Sequence, residues 1–539
     1  MDKLVELGKA SAIGSFKLLI GNTTSSIILA VGTIIVGIFI SEDAYGLYTV
    51  ALIPASTVLL FQDWGIASAM IKYCAEYRST KRVEHLRTII VAGLTFEIAS
   101  GIILMTLLLL MTDFIATTVF GKPESAFLTA IISMTVLFAG ILQGAQSVFV
   151  GFERMGLNSV MLICRAIAQA VLMPLLVYLG YGAVGAAVGY TFSIIVTGLI
   201  ALIIVYFEIF RKLPKSNSAN FMLLRTIKPL IVYGVPIAFA NIIAGILPQF
   251  CSFMMASTID NAMIGTYKIA TNFSIFLALL TFPISTVLFP AFSKIHPQTE
   301  RGLLKTIFTS STKYTAFLLV PATIAVIVLS NPLVGTIYGS KWPLASSFLA
   351  LHVLSNLFCL FGNISISGLL YGLGETKMLM KLSILTLLIG LPMALILIPA
   401  FGIFGVIAVT VSSGLPSMIV SLYWIRKNYG ANVDLHNSAK IFFASSIAGV
   451  ATYLFLNTLI VANWIQLTLG IVFFVAIYLI SAPLVGAITH ADVTNLRNMF
   501  SGLPIVSEIS EILLSIIQRI LDVHNSSQDH YPQLHKQVT

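Results

Sequence analysis

The chain has 539 residues, of which 58% are hydrophobic and 9% charged, and its formal net charge is +9. A soluble protein carries about a quarter charged residues, and so few charges cannot cover a soluble surface. With a mean hydropathy of +0.98, the composition excludes a soluble globular enzyme and intrinsic disorder alike. It identifies an all-α polytopic membrane protein.

The first apolar stretch, 16–40, is long enough to span a bilayer rather than to serve as the short core of a cleavable signal. Runs of this kind, separated by polar or Gly/Pro punctuation, continue along the chain. They predict fourteen spans, at 16–40, 46–71, 86–111, 125–149, 157–179, 182–207, 229–256, 263–289, 305–330, 343–370, 378–400, 402–425, 438–461 and 464–489. Basic residues test the count, because Lys and Arg concentrate in cytoplasmic loops. With the N-terminus inside, 25 of the 30 basic residues share one face, in clusters such as Lys72, Arg78, Lys81, Arg82 and Arg87. The opposite face has only Lys122 and Lys341, and carries Glu42, Asp43, Asp113, Glu124 and Asp260. The alternation predicts a multi-pass protein of the cell membrane with both termini cytoplasmic. It also explains the positive charge by attraction to lipid headgroups, with no role for nucleic acid.

Residues 208–228 are basic and polar and read as a cytoplasmic linker. Beyond the last span, Ile505, Ile509, Ile512, Ile516 and Ile520 recur at helical spacing among polar residues. That pattern predicts an amphipathic helix, followed by a polar tail. Cys74, Cys164, Cys251 and Cys359 are far apart and lack metal-ligand spacing, so they read as small packing residues. No P-loop, zinc motif or nucleophile constellation is present, and no cofactor is implied.

The chain also repeats itself. Gly151 and Gly372 open similar loops, Gly182-Ala-Val-Gly185 matches Gly402-Ile-Phe-Gly405, and Gly46-Leu-Tyr48 matches Gly265-Thr-Tyr267, all at offsets near 220. That interval holds six spans, an even number, so the halves are parallel repeats. The expected organisation is a six-helix lobe at 1–207, the linker at 208–228 and a second six-helix lobe at 229–427. An additional helix pair at 438–490 and a cytoplasmic segment at 491–539 complete it. Parallel repeats of this kind place a substrate cavity between the bundles and alternate its access.

These features, with the phrases AYGLYTVAL at 44–52, WGIASAMIKYCAEYRS at 64–79, GAQSVFVGFERMGLNSV at 144–160, GYGAVGAAVG at 180–189 and FPISTVLFPAFSKI at 282–295, carry a family resemblance. The sequence resembles the oligosaccharide-lipid exporters of the multidrug/oligosaccharidyl-lipid/polysaccharide superfamily over roughly residues 10–490. The resemblance implies a transporter that flips polyprenyl-linked sugars to the outer leaflet, and the extra helix pair also occurs in the superfamily's lipid II flippases.

Ionisable residues inside spans are costly and so are functional candidates. Arg165 lies near the middle of span 5, with Asn158 and Gln169 on its face. Glu97 has a similar depth in span 3, Lys313 lies mid-span 9, and Lys268 is nearer the outer end of span 8. Cations in a cavity would offset the lost hydration of a diphosphate headgroup, Arg bidentately. The competing readings are an Arg165–Glu97 pair that ties helices together, and a Glu97 that couples transport to H+ or Na+. Asp63, Gln143 and Gln146 are weaker candidates, as is a stripe of His352, Asn356, Asn363 and Ser367 in span 10, which polar contacts between helices explain equally well.

The sequence thus predicts a monomeric flippase for a lipid-linked oligosaccharide, not an enzyme, with Arg165, Lys313, Lys268, Glu97 and Gln169 as its substrate-binding residues. Membrane lipids and a coupling ion are the other expected partners. The alternatives are a cation-coupled multidrug extruder or a lipid II-type flippase. A membrane glycosyltransferase would need larger outer loops.

Overall fold

The structure, a computed structural model, describes residues 2–80, 82–214, 223–500, 511 and 514–522. Every regular element among them is helical. Within a bilayer each backbone N–H and C=O must be satisfied inside the chain, and helices achieve this segment by segment.

The first half comprises α1 (Asp2–Phe39), α2 (Glu42–Leu59), α3 (Ile66–Ser79), α4 (Val83–Phe114), α5 (Ser125–Gly151), α6 (Met155–Leu176) and α7 (Gly182–Ile204). Then follow α8 (Leu223–Thr258), α9 (Asn261–Asn272), α10 (Ile275–Ser293), α11 (Arg301–Tyr338), α12 (Ala345–His352) and α13 (Asn363–Gly372). The remainder is α14 (Thr376–Phe401), α15 (Ile403–Ser412), α16 (Leu415–Tyr429), α17 (Leu435–Thr458), α18 (Asn463–Leu484) and α19 (His490–Phe500).

By length and composition, 11 of the described helical stretches can cross a membrane, or 12 if a bent pair counts as one span. The expected fourteen are not confirmed by that measure, for identifiable reasons. Helices α6 and α7 run on through a π-helical turn, so that Met155–Lys212 counts once although Gly180 breaks its geometry at φ 93°. The region expected as span 2 is divided into α2 and α3, which meet at Gly65 with φ 75°. The bent pair is Ala345–Phe361 with Asn363–Gly372, turned by 58° at Gly362.

The internal repeat is visible in the backbone. Gly182 (φ 50°, ψ −127°) and Gly402 (φ 58°, ψ −129°) open α7 and α15 in one conformation. Gly121 (φ 63°) likewise corresponds to Gly339 (φ 62°). Glu153, whose φ of 57° is unusual for a residue with a side chain, stands where Gly374 (φ 74°) stands in the second half.

Contacts divide the chain into two compact units, Met1–Ile275 with Met380–Pro416, and Phe276–Leu379 with Ser417–Thr539. In the first, Ile66, Met70, Ile90, Phe149, Met161 and Leu230 form one core where α3, α4, α5, α6 and α8 meet. In the second, Leu319, Ile441 and Phe474 join Val493 of α19 and Leu514, Ile517 and Leu521 of the tail. The tail stripe that packs is therefore 514, 517 and 521, whereas Ile516 is 40% exposed. Ile505, Ile509 and Ile512 lie outside the described residues. Outward-facing side chains such as Ile103 (66% exposed) and Leu110 (79% exposed) are apolar, as contact with lipid requires.

One crossing in the first unit stands out. Ser41 caps α2, its hydroxyl accepting from the Ala44 N–H at 3.3 Å, with Glu42 and Asp43 in the first turn. One turn on, α2 meets α9 with almost no gap. A Cβ on Gly46 would lie 1.7 Å from the Asn261 carbonyl oxygen, and one on Gly265 would lie 2.3 Å from that of Glu42. Neither obstacle is a side chain that can turn away. Gly46→Ala should therefore force the helices apart at about 1–3 kcal/mol, the usual cost of overpacking, and lower the thermal unfolding midpoint in detergent. An unchanged midpoint would mean that the crossing is slack.

Candidate functional site

The crossing of α2 over α9 forms one wall of a cavity of about 320 Å³ in the first unit. This is at the small end of ligand sites, which span about 300–1,000 Å³. Helix α2 contributes Thr49, Ser56 and Leu59, α5 contributes Ile132 and Thr135, and α7 contributes Tyr190. Ser252 and Met255 of α8 and Tyr267, Lys268 and Thr271 of α9 face them.

Lys268 is the charged residue in this wall. Helical spacing puts it one turn from Ile264, which also lines the cavity, and from Asn272, whose amide donates to the Tyr45 hydroxyl at 3.1 Å. Among the described residues it forms no ion pair. The surrounding hydroxyls donate inward to backbone carbonyls. Thr49 does so to Tyr45 (2.8 Å), Thr135 to Ile132 (2.6 Å), Ser252 to Pro248 (2.9 Å) and Thr271 to Lys268 (2.9 Å). Ser56 also donates to Gln249 Oε1 at 3.1 Å. With their protons engaged, these oxygens offer lone pairs to a guest. The cavity thus presents a cation together with hydrogen-bond acceptors, which suits a ligand carrying both a phosphate and hydroxyl groups.

Of the five residues singled out from sequence, only Lys268 lines this cavity. Arg165 lies on α6, half-buried, and its Nε has no hydrogen-bond partner among the described residues, as is also true of Asn158 Oδ1. Gln169, one turn after Arg165, is half-buried on the same helix. Glu97 is fully buried on α4 and forms no ion pair with Arg165.

Lys313 has a partner. It lies in the second unit, where its Nζ donates to Asp492 Oδ2 at 2.6 Å, and the two side chains are 17% and 9% exposed. Asp492 also accepts from the Thr489 hydroxyl (2.7 Å) and backbone N–H (2.9 Å). Asn495 donates to the Tyr314 hydroxyl at 3.0 Å, and Arg497 grips Glu511 through both its Nε and Nη2. The polar stripe expected along span 10 is divided by the bend at Gly362, which leaves His352 and Asn356 on one limb and Asn363 and Ser367 on the other.

Sequence reasoning passed over most of the cavity's polar residues. The sequence marks Tyr267 only as a landmark of the repeat, and Thr49, Thr135 and Ser252 are ordinary in apolar helices. The one available signal was the nearness of Lys268 to the Gly265-Thr-Tyr267 landmark.

Residues 12–296 match the family described as polysaccharide biosynthesis protein. The chain belongs to this family. It is similar to the lipopolysaccharide biosynthesis protein WzxC of Escherichia coli (strain K12), 25% identical over 306 residues, covering 56% of this chain and 58% of that protein. It is also similar to the lipid II flippase MurJ of Bacillus subtilis (strain 168), 21% identical over 482 residues, covering 81% and 87%. A solved lipid II flippase MurJ in an inward closed conformation shares the fold at a TM-score of 0.70 and 15% identity, covering 87% of this chain and 98% of that one.

The Lys313–Asp492 pair has a checkable pH dependence. Burial alone would raise the Asp492 carboxyl, but hydrogen bonds from Lys313 and Thr489 and the Lys313 charge outweigh it and hold the group below its ordinary 3.8. A depressed carboxyl stabilises the fold above its unfolded value, and that contribution is lost as pH falls through the folded value. Amide exchange across residues 490–500 should therefore accelerate below pH 3.8. In Asp492→Asn it should be fast already at neutral pH. Equal protection in the variant and the wild type would show that the pair does not hold this segment.

Proposed function

We propose that this chain is a flippase that moves a polyprenyl phosphate- or diphosphate-linked oligosaccharide from the cytoplasmic to the outer leaflet, for surface polysaccharide or glycoprotein assembly. The observation that supports this most is the unpaired Lys268 ammonium among hydroxyl oxygens. A phosphate leaving water loses hydration that a low-dielectric interior does not replace. A fixed cation returns part of that loss as a charge-assisted contact. The acceptor oxygens of Thr49, Thr135 and Ser252 complement sugar hydroxyls, which donate. The lipid tail stays in the bilayer, while the headgroup is exposed to one face and then the other.

The protein is a transporter rather than an enzyme, and its relatives WzxC and MurJ are a lipopolysaccharide biosynthesis protein and a lipid II flippase. With basic loops inside, both termini are cytoplasmic and the membrane is the cell membrane. A drug extruder of the same superfamily fits less well, because a cationic amphiphile would meet Lys268 as a like charge.

The test is reconstitution of the full chain in liposomes with a fluorescent lipid-linked oligosaccharide. A charge-assisted hydrogen bond contributes about 1.5–3 kcal/mol, so Lys268→Met should slow flipping by about tenfold to a hundredfold. Lys268→Arg should retain most of the activity. Wild-type flipping by Lys268→Met would remove this residue from the mechanism, and no flipping by the wild type would overturn the reading.

A further inference from the structure

A second polar cluster of the first unit lies outside the cavity. Glu97 on α4 is 0% exposed, and neither carboxylate oxygen has a hydrogen-bond partner among the described residues. Gln62, in the break between α2 and α3, is 2% exposed, and its Nε2 is equally without a partner. Both groups converge on one point of α5. A Cβ on Gly140 would lie 1.9 Å from Gln62 Nε2 and 3.2 Å from Glu97 Oε2. Gly144, one turn along α5, leaves room for Glu97 Cγ at 3.4 Å, and Gly101, one turn beyond Glu97, does so for Gln62 Nε2 at 3.3 Å. The absence of side chains at these three positions opens the space in which the two groups meet.

Asp63, next to Gln62 in the break and bonded to Gln143 of α5, brings a second carboxylate to the cluster. Its situation is the opposite of Glu97's. Asp63 Oδ1 accepts from the Ala67 N–H at 3.1 Å, at the start of α3, and Oδ2 accepts from Gln143 Nε2 at 2.8 Å. A carboxylate at Asp63 has donors on both oxygens, whereas one at Glu97 has none and faces a like charge. A low-dielectric interior does not hold such a pair without a positive charge, and no Lys or Arg among the described residues supplies one.

We propose that Glu97, with Gln62, Asp63 and Gln143 around it, is a binding site for one monovalent cation, either a proton or Na+. A proton taken from water onto a Glu97 oxygen converts the carboxylate to a neutral acid. Its O–H donates to the Gln62 amide oxygen when that amide is turned, and the two orientations differ only in exchanging O and N. Na+ would instead sit between the carboxylate oxygens and the same amide oxygen.

The site shares two helices with the headgroup cavity. Leu59 lines the cavity and Gln62 lies just past the end of the same helix, while α5 carries Thr135 in the cavity and Gly140 at the cluster. Loading the cluster therefore bears on the walls of the cavity. That this drives flipping rests on the flippase reading, but that the cluster binds a cation does not.

The test uses full-length protein in nanodiscs and needs no lipid-linked sugar. Infrared spectroscopy reads the carbonyl stretch of a buried protonated acid as pH is raised, and radioactive sodium is titrated in parallel. The wild type should show either an acid band that disappears at alkaline pH or saturable binding of one sodium per chain. Glu97→Gln, which keeps the shape and removes the charge, should abolish whichever signal the wild type gives. Asp63→Asn removes the like charge, so its band should disappear at a lower pH, or its sodium affinity should fall. Neither signal in the wild type, or the same signal in Glu97→Gln, would overturn the proposal. If Glu97→Gln does not fold, an Asp63→Asn response identical to the wild type would overturn it. A normal cation signal in a protein that flips nothing would count against the flippase reading alone.

Discussion

Where α2 crosses α9, two helices approach until a backbone carbonyl occupies the place of a side chain at both Gly46 and Gly265. These glycines are the same position in the two halves of the internal repeat, 219 residues apart. The repeat therefore does more than duplicate a lobe, because it brings its own equivalent positions into contact. Two residues past each glycine stands a tyrosine, Tyr48 and Tyr267. The first is buried, its ring against Tyr190, and the second lines the cavity beside Lys268. Widening the crossing by one methyl group would move the hydroxyls of α2 away from the ammonium of α9, and the cavity would lose its combination of cation and acceptors. In a bilayer, with little hydrophobic drive between helices, such close approach is a principal source of adhesion.

Within each unit, the ionisable groups of the interior are handled in different ways. Lys313 is paired with Asp492, and further hydrogen bonds satisfy the carboxylate, so its role is explained by holding the segment after α18 to the second unit. Lys268 faces open volume, which is wasteful unless something anionic enters it. Glu97 faces Gln62 and a like charge, which is equally wasteful unless something cationic enters it. Breaking a buried pair costs about 3–5 kcal/mol because it leaves an uncompensated charge, and a chain that leaves Lys268 and Glu97 without a counter-charge among the described residues has reason to do so.

Much of this was legible in the sequence. The Gly-x-x-Gly hairpins at 182 and 402 announce a positive φ, because only glycine enters that region without cost, and both adopt it. Matching loops at Gly151 and Gly372 led to the same turn, although Glu153 takes in one half the conformation that Gly374 takes in the other. What the sequence did not disclose depends on distance or on backbone breaks. Asp492 lies 179 residues from Lys313 and outside every span, so nothing local pairs them. Gly65 and Gly362 divide α2 from α3 and bend span 10, yet a lone glycine in an apolar run costs a helix only about 1 kcal/mol and does not announce a break. Without the break at 60–65, Gln62 and Asp63 read as ordinary helix positions rather than as side chains turned toward α5 and the start of α3.

That break also gives the two interior groups a common mechanical element. Residues 60–65 leave the regular ladder of α2: the N–H groups of Leu60, Phe61 and Gln62 turn to the carbonyls of Thr57, Val58 and Leu59, three residues back, and α3 begins only after Gly65. They join the cavity wall at Leu59 to the carboxylate cluster at Gln62 and Asp63. A continuous helix would fix the distance between these points, whereas a break lets one adjust while the other holds. An anion in the cavity and a cation in the cluster also neutralise each other's field across a low-dielectric interior, so each makes the other cheaper to admit. Binding energies that depend on one another in this way are the thermodynamic requirement for coupling two solutes through one protein. In the proposed flippase, one discontinuous helix and a facing stripe of glycines would provide it.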